Sequence, residues 1–281
     1  MSGCDGRFDD EAAAATGSLI TAAVPRPGGT PWLLLPGWQQ SAAHWTPVAR
    51  WLTGARITLL AADLAGAAAG CAAPSGTVAR TEELVDRLLG EPVTAEAAIV
   101  VGHSAGAPLA ALVAAARPRV RGVIMVEPLA SHFGATEPRP AVPGPARATG
   151  RPSGLREQYP MAAEATLRSI VAAARRLPHA APEPPRRTPS DADAERAALA
   201  RRALAATRVP VLVLRGQASA LLTAEDARNL AAMAPSGRCV TVPDTGHSPH
   251  IDRPRATAAH LTAFAAEVID HSPTYAGAFR E

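Results

Sequence analysis

The sequence predicts an α/β fold with a mostly parallel, doubly wound sheet, and two observations point to that class. Short apolar runs rich in Val, Leu and Ile recur along the chain. These runs alternate with segments whose apolar residues follow helical spacing, and such alternation is typical of a parallel sheet covered on both faces. The chain also has 281 residues, enough to bury one large core without help from disulfides or metals.

Each predicted strand is a short apolar run that ends near Gly, Pro, Asp or Arg. In chain order the predicted strands are 18–24, 32–35, 56–62, 98–101, 120–126, 209–214 and 238–242. Helices are predicted where apolar residues recur every three or four positions. These helices begin near Ser41, cover 78–89, 107–116, 161–177 and 193–206, and begin again at Pro254.

Ser104 lies at the corner between a predicted strand and a predicted helix. The residues around it read Gly-His-Ser-Ala-Gly, from Gly102 to Gly106. A serine in so sharp a turn needs glycine two places before and after it, because a Cβ there would collide where strand and helix meet. The turn lifts the Ser104 hydroxyl clear of the backbone, and Ser104 is therefore the predicted nucleophile.

Residues 131–208 interrupt the alternation of strands and helices. The stretches 136–154 and 177–189 are dense in Pro, Gly and Arg and are predicted as irregular loop. An insertion with helices and no strands predicts a lid over the carboxyl edge of the sheet; a flexible linker is the alternative. The predicted organisation is a flexible tail over 1–14, a discontinuous core over 15–130 and 209–275, and a helical lid over 131–208.

Composition excludes several classes of function. The chain contains no lysine, whereas P-loop, Schiff-base and Ser-Lys chemistry each need a lysine amine. A formal net charge of only +3 predicts no nucleic-acid partner. Cys4, Cys71 and Cys239 lie far apart, which indicates neither a disulfide framework nor a zinc cluster. With no signal peptide or membrane-spanning run, we expect a cytoplasmic protein with a small-molecule substrate, no membrane partner and an oligomeric state left open.

His247 is the predicted base for Ser104. In an open parallel sheet the reacting groups collect at the carboxyl ends of the strands, and His247 follows the last predicted strand in a Thr-Gly-His turn. A structural loop histidine is the alternative interpretation. His250 is expected to pack or hydrogen-bond, because no further ligand lies at metal-binding spacing, and His103 is expected to be a buried packing residue. No metal and no cofactor are predicted.

Four motifs together resemble the α/β-hydrolase-fold superfamily over nearly the whole chain. They are Leu-Leu-Leu-Pro-Gly-Trp ending at Trp38, Gly-His-Ser-Ala-Gly around Ser104, Pro-Val-Leu-Val-Leu-Arg-Gly ending at Gly216, and Thr-Gly-His-Ser-Pro-His-Ile-Asp-Arg-Pro around His247. The resemblance implies a nucleophile, acid and base in that order along the chain. It also implies an oxyanion hole made by the backbone amides of Trp38 and Ala105.

The acid departs from the commonest pattern of that superfamily. There it lies three or four residues after the glycine that matches Gly216, where this chain has Ser219 and Ala220. The superfamily's other arrangement places the acid after the strand that follows the nucleophile helix, and Glu127 lies at that point. Glu127 is thus the predicted acid, with an ion pair to an arginine as the other interpretation. Asp226 is the fallback acid, although its position is more typical of a helix start.

These residues predict a serine hydrolase that cleaves a small, hydrophobic or aromatic ester, thioester, lactone or activated amide through an acyl-enzyme. The loop at Trp38 and the strand at 122–125 also resemble cofactor-free dioxygenases that cleave hydroxyquinolone rings, in which the histidine and acid act as the base. This chain differs from them in carrying Ala105 where they have histidine, and in placing Glu127 one position later than their acid. A lyase, a natural-product tailoring enzyme and a non-catalytic binding protein are the remaining alternatives.

Overall fold

Seven strands form one sheet within the residues that the computed structural model describes, which are 20–24, 29–38, 40–52, 57–62, 78–135, 152–175 and 191–270. The strands are β1 (Ile20–Val24), β2 (Thr30–Leu35), β3 (Ile57–Ala62), β4 (Ile99–His103), β5 (Gly122–Val126), β6 (Val211–Gly216) and β7 (Gly237–Val242). Each predicted strand is present, with bounds shifted by no more than two residues.

The sheet is mostly parallel, as the alternation of strands and helices predicts. Its order is β1-β3-β2-β4-β5-β6-β7, and only β1, at the edge, pairs antiparallel with its neighbour. Leu35 of β2 lies opposite Gly102 of β4, and His103 of β4 lies opposite Val126 of β5. The residues that follow β2, β4, β5, β6 and β7 therefore meet at one edge of the sheet.

Ten helices are found in the described part of the chain. They are α1 (Thr46–Ala49), α2 (Val78–Gly90), α3 (Pro92–Ala95), α4 (Gly106–Ala116), α5 (Pro152–Gln158), α6 (Glu164–Ala174), α7 (Asp191–Ala206), α8 (Ala224–Ala232), α9 (Pro249–Asp252) and α10 (Pro254–Asp270). Short 3₁₀ turns precede α1 and follow β5. The prediction of irregular loop up to residue 154 is wrong at its end, because α5 begins at Pro152, and proline suits a first helical turn.

Alternate side chains of the strands enter two apolar clusters, one on each face of the sheet. On β2, Leu33 and Leu35 belong to one cluster, while Trp32 and Leu34 belong to the other. Helices α2, α4, α7 and α8 supply the first cluster, and α1 and α10 supply the second. Burial on both faces explains why the strands are continuous apolar runs rather than alternating ones.

The helices within 131–208 pack in two different places. Helix α7 contributes Ala200 and Leu204 to the same core cluster as α4, so it covers the sheet like an ordinary crossover helix. Helices α5 and α6 form a hairpin with a separate small cluster, in which Leu155, Tyr159 and Leu167 pack with residues from near the carboxyl edge of the sheet. Of the predicted lid, only this α5–α6 hairpin lies apart from the main core in the described residues.

Several predictions concern residues outside those described. These are the tail over 1–14, Cys4, Cys71 and the loop stretches at 136–151 and 176–190 of the predicted lid. None of the described helices combines the length and apolar character that crossing a bilayer requires.

Candidate active site

Ser104 lies at the turn between β4 and α4, in a backbone conformation that serine rarely adopts. Its φ angle is 49°, in the left-handed region, and its side chain is almost buried. A Cβ at Gly102 would overlap the carbonyl of Gly106, and a Cβ at Gly106 would come within 2.5 Å of the Leu35 carbonyl oxygen. Glycine at both positions thus allows the strand, the helix and the neighbouring loop to close around Ser104.

His247 is held in the turn that follows β7 and reaches Ser104. The hydroxyl of Thr245 donates to the Val242 carbonyl (2.8 Å), and the Gly246 amide donates to the Asp252 carboxylate (2.8 Å). These bonds fix both sides of the turn. The His247 side chain is 28% exposed. Its imidazole Nε2 lies 3.1 Å from Ser104 Oγ. This is hydrogen-bond distance for a base and the hydroxyl that it would deprotonate.

Glu127 directly follows β5 and holds the other side of the His247 ring. Its side chain is fully buried, and its φ angle of 48° is a second left-handed non-glycine conformation at this edge. One carboxylate oxygen accepts the Gly216 amide at 2.5 Å. The other accepts the Ser219 hydroxyl at 2.6 Å and lies 3.1 Å from His247 Nδ1. A carboxylate with three donors around it orients the ring so that Nε2 faces Ser104.

Asp226, the fallback acid, lies elsewhere. Its carboxylate accepts the hydroxyl and amide of Thr223, and its own amide donates to the Thr223 hydroxyl. This reciprocal pair is a capping box at the start of α8. The structure thus places Asp226 in a helix cap and brings Glu127 to His247. Among the described residues the hydrogen-bond partners of the Glu127 carboxylate are Gly216, Ser219 and His247, and no arginine is one of them.

The loop after β2 lies directly against the Ser104 turn. A Cβ at Gly37 would come within 3.2 Å of Ser104 Cβ and 2.6 Å of His103 Nδ1, so only glycine permits this approach. Trp38 follows Gly37, and Ala105 follows Ser104 at the N-terminal end of α4. The amides predicted for the oxyanion hole therefore belong to the two loops that meet at Ser104. The Trp38 side chain is 37% exposed, which excludes core packing as its role.

A family model agrees with this arrangement of strands and helices. The model described as the alpha/beta hydrolase family matches residues 32–260, which is well over half of the chain. The chain belongs to the alpha/beta hydrolase family. No curated protein matches it.

Solved structures share the fold of this alpha/beta hydrolase at low sequence identity. The thioesterase domain from the curacin biosynthetic pathway is 20% identical, with a TM-score of 0.63, over 86% of this chain and 94% of that one. An esterase from Mycobacterium tuberculosis is 22% identical, with a TM-score of 0.62, over 88% of each chain. A malate-bound thermophilic esterase from Thermogutta terrifontis is 22% identical, with a TM-score of 0.57, over 89% and 94%.

Three buried histidines lie beneath the site of this alpha/beta hydrolase, and burial keeps them neutral. It lowers the pKa of His44 to about 4, against a smaller opposing effect of the Ser41 carbonyl. Burial also lowers the pKa of His103 and of His250 well below the ordinary value, and neighbouring histidines add to the effect. The His250 ring packs at 4.5 Å from both Trp45 and His103, as its expected packing role requires. In the described residues no group of three or more His, Cys, Asp or Glu side chains could hold a metal ion.

Three polar residues at the site were not assigned a role from the sequence. The sequence indicates only that Ser219 cannot be the acid, yet its hydroxyl donates to the Glu127 carboxylate. Asp252 supports the His247 turn, and burial raises the pKa of its carboxyl despite the hydrogen bond from Gly246. Asp252 lies on α9, five residues after His247, and this short spacing could have indicated its contact with the Gly246 amide. Gln40 carries no such signal, because its side-chain partners include residues 63 and 119 positions away.

Proposed function

We propose that this alpha/beta hydrolase is a serine hydrolase that cleaves small esters, thioesters or related acyl compounds through an acyl-enzyme. The observation that carries the proposal is the alignment of three side chains: Ser104 Oγ lies 3.1 Å from His247 Nε2, and His247 Nδ1 lies 3.1 Å from the buried Glu127 carboxylate. A hydroxyl, an imidazole and a carboxylate so aligned perform nucleophilic acyl transfer in unrelated folds.

The first half of the reaction acylates Ser104. The hydroxyl attacks the substrate carbonyl while His247 Nε2 accepts its proton, and Glu127 stabilises the imidazolium that forms. The amides of Trp38 and Ala105 donate to the oxyanion of the tetrahedral intermediate. The imidazolium then returns the proton to the leaving group, and the carbon–heteroatom bond breaks.

The second half releases the acid. Water takes the position of the leaving group, His247 accepts a proton from it, and the hydroxide attacks the acyl carbonyl. As this second intermediate collapses, the bond from Ser104 Oγ to the acyl carbon breaks, the imidazolium returns the proton to Oγ, and the acid is released. The rigid strand–turn–helix around Ser104 supports the proposal, because acyl transfer needs the nucleophile fixed relative to its oxyanion donors.

We further propose a hydrophobic or aromatic acyl group of modest size. Trp38 follows Gly37 in the loop that lies against Ser104, and its exposed indole offers a flat apolar surface. A thioesterase domain and two esterases share the fold, which agrees with this class.

Turnover of p-nitrophenyl acetate, butyrate and benzoate tests the proposal. The wild type should hydrolyse at least one of them, and Ser104→Ala and His247→Ala should each lose most of the turnover. An oxygen electrode run with a hydroxyquinolone provides the opposing test. Oxygen uptake that survives Ser104→Ala but not His247→Ala would establish the dioxygenase alternative, and inertness of the folded wild type toward every ester would contradict hydrolysis.

A further inference from the structure

Gln40 is a buried residue next to the site, and the proposed mechanism gives it no role. Only 5% of it is exposed, and it lies in the loop that carries Gly37 and Trp38. Its carbonyl oxygen accepts the Gly37 amide at 3.2 Å and lies 2.8 Å from His103 Nδ1. Its amide nitrogen donates to the Tyr159 hydroxyl at 3.0 Å. One carboxamide thus contacts three separate parts of the chain.

His103 extends these contacts to His247. It is the last residue of β4 and directly precedes Ser104. Its Nε2 lies 2.8 Å from the backbone carbonyl of His247, and the two rings are 5.0 Å apart. His247 therefore has contacts at two points: Glu127 lies against its ring, and His103 lies against its backbone carbonyl.

Tyr159 brings the α5–α6 hairpin into the same set of contacts. It begins the turn between the two helices, its side chain is buried, and burial raises the pKa of its phenol. The same turn also reaches the His247 loop, because Arg253 donates to the Met161 carbonyl at 3.3 Å. A Cβ at Gly246 would lie 3.7 Å from the Met161 sulfur. The hairpin is thus docked on both loops that flank Ser104.

The contacts of Gln40 and His247 with His103 depend on one another, because they share the single ring proton of His103. Both ring nitrogens of His103 face oxygens, those of Gln40 and His247, yet a neutral imidazole carries a single proton. With the Gln40 oxygen toward His103, the ring donates to Gln40. With the carboxamide reversed, its amide group donates to His103 Nδ1 and frees the ring proton for the His247 carbonyl, but the amide group then faces the Gly37 amide, which is also a donor. The Tyr159 hydroxyl must donate in the second arrangement and accept in the first.

We propose that Gln40 is a positioning residue that couples docking of the α5–α6 hairpin, through Tyr159, to the alignment of the Gly37–Trp38 loop and of His247. The inference rests on the proposed function for its catalytic consequence. A carboxamide suits this role because it accepts from the Gly37 amide while it donates to Tyr159. Methionine at position 40 has a similar length and can form neither hydrogen bond. Phenylalanine at position 159 removes only the hydrogen bond between Gln40 and the hairpin.

The test compares Gln40→Met, Tyr159→Phe and the double variant with wild type. Gln158→Met is the matched control, since it makes the same substitution in a half-buried side chain next to Tyr159. Amide hydrogen exchange of the peptides covering 36–45 and 244–252 measures loop order without any substrate. Stopped-flow bursts with p-nitrophenyl butyrate measure acylation of Ser104.

We expect Tyr159→Phe to accelerate exchange in both peptides several-fold and to slow acylation about tenfold, the effect of one lost hydrogen bond. Gln40→Met should slow acylation about a hundredfold, and the double variant should resemble Gln40→Met alone, because both changes break one chain of contacts. Gln158→Met should match wild type. KM should change less than the burst rate. A hairpin that is merely loosened would instead weaken substrate binding and raise KM.

Two results would overturn the coupling: additive effects in the double variant, or wild-type exchange at 36–45 and 244–252 in Tyr159→Phe. Failure of the wild type to hydrolyse p-nitrophenyl butyrate or any related ester would instead contradict the proposed function, and the exchange measurement would still decide the coupling. Where deacylation is too fast for a burst, kcat/KM reports acylation. A burst in Gln40→Met at the wild-type rate would remove Gln40 from catalysis while leaving serine hydrolysis intact.

Discussion

Replacing Glu127 with glutamine should disable catalysis by reversing the hydrogen-bond pattern around His247. Three donors surround the carboxylate: the Gly216 amide, the Ser219 hydroxyl and His247 Nδ1. An amide has only one oxygen to accept, so its NH₂ must face a donor. If it faces His247, the ring proton moves to Nε2, and the imidazole can no longer accept the Ser104 proton.

The reverse orientation is unfavourable, because it places the NH₂ group 2.5 Å from the Gly216 amide. Two buried donors so close cost about 1–3 kcal/mol. The wrong tautomer should therefore dominate, and kcat should fall roughly 10⁴-fold, as when the orienting carboxylate of a serine protease becomes an amide. That factor corresponds to about 5 kcal/mol of transition-state stabilisation.

The assay is steady-state and burst kinetics on an aryl ester, with Asp226→Asn as the matched control. The control makes the same chemical change at the capping carboxylate of α8, and we expect it to lower thermal stability by about 1 kcal/mol and to leave kcat nearly unchanged. The reasoning is refuted if Glu127→Gln retains more than a tenth of the wild-type rate, or if Asp226→Asn causes the large loss instead.

Three further predictions concern the turn, the acid and the buried histidines. Gly102→Ala should lower the free energy of unfolding by roughly 1–3 kcal/mol or more, and the melting temperature with it, because its Cβ would overlap the Gly106 carbonyl. Gly90→Ala, whose Cβ would meet nothing within 4 Å, should be neutral or stabilising, and equal melting temperatures would contradict the packing argument. Ser219→Ala should lower kcat about tenfold with KM preserved, since one donor to Glu127 is lost; an unchanged kcat would show that this bond is dispensable. Because the folded-state pKa of His44 is depressed to about 4, its contribution to stability is present above pH 6.5 and declines as pH falls. Urea unfolding at pH 7.5 and 5.5 should show a loss of about 1.3 kcal/mol from His44 alone, with His103 and His250 acting in the same direction, and a pH-independent unfolding free energy would contradict buried neutral imidazoles.

The fold follows from local patterns in the sequence, and so do the places of the candidate residues. Buried parallel strands are apolar on both faces, so each one appears as a short continuous run such as β4 or β6. β4 is followed by Ser104, β5 by Glu127 and β7 by a turn with His247, and parallel pairing brings those ends together. Ser104, Glu127 and His247 could thus be placed at one edge from the order of elements alone.

The remaining contacts depend on side-chain positions that no local pattern encodes. Gln40 contacts His103 and Tyr159 only because the loop after β2, the end of β4 and the α5–α6 hairpin meet near the carboxyl edge of the sheet. Helix α5 lies partly in a Pro- and Gly-rich stretch whose composition is typical of loop, and its apolar residues find their partners in the hairpin cluster. Helix α7, inside the predicted lid, packs in the main core, because long-range burial rather than sequence position decides where an amphipathic helix docks.

The most direct measurement is active-site labelling with a fluorophosphonate followed by peptide mapping. A hydroxyl held 3.1 Å from an oriented imidazole should react selectively, so a single adduct should form on Ser104. Labelling should be lost in Ser104→Ala and reduced by orders of magnitude in His247→Ala. An adduct on another residue, or labelling of Ser104 at the wild-type rate in His247→Ala, would contradict activation of Ser104 by His247.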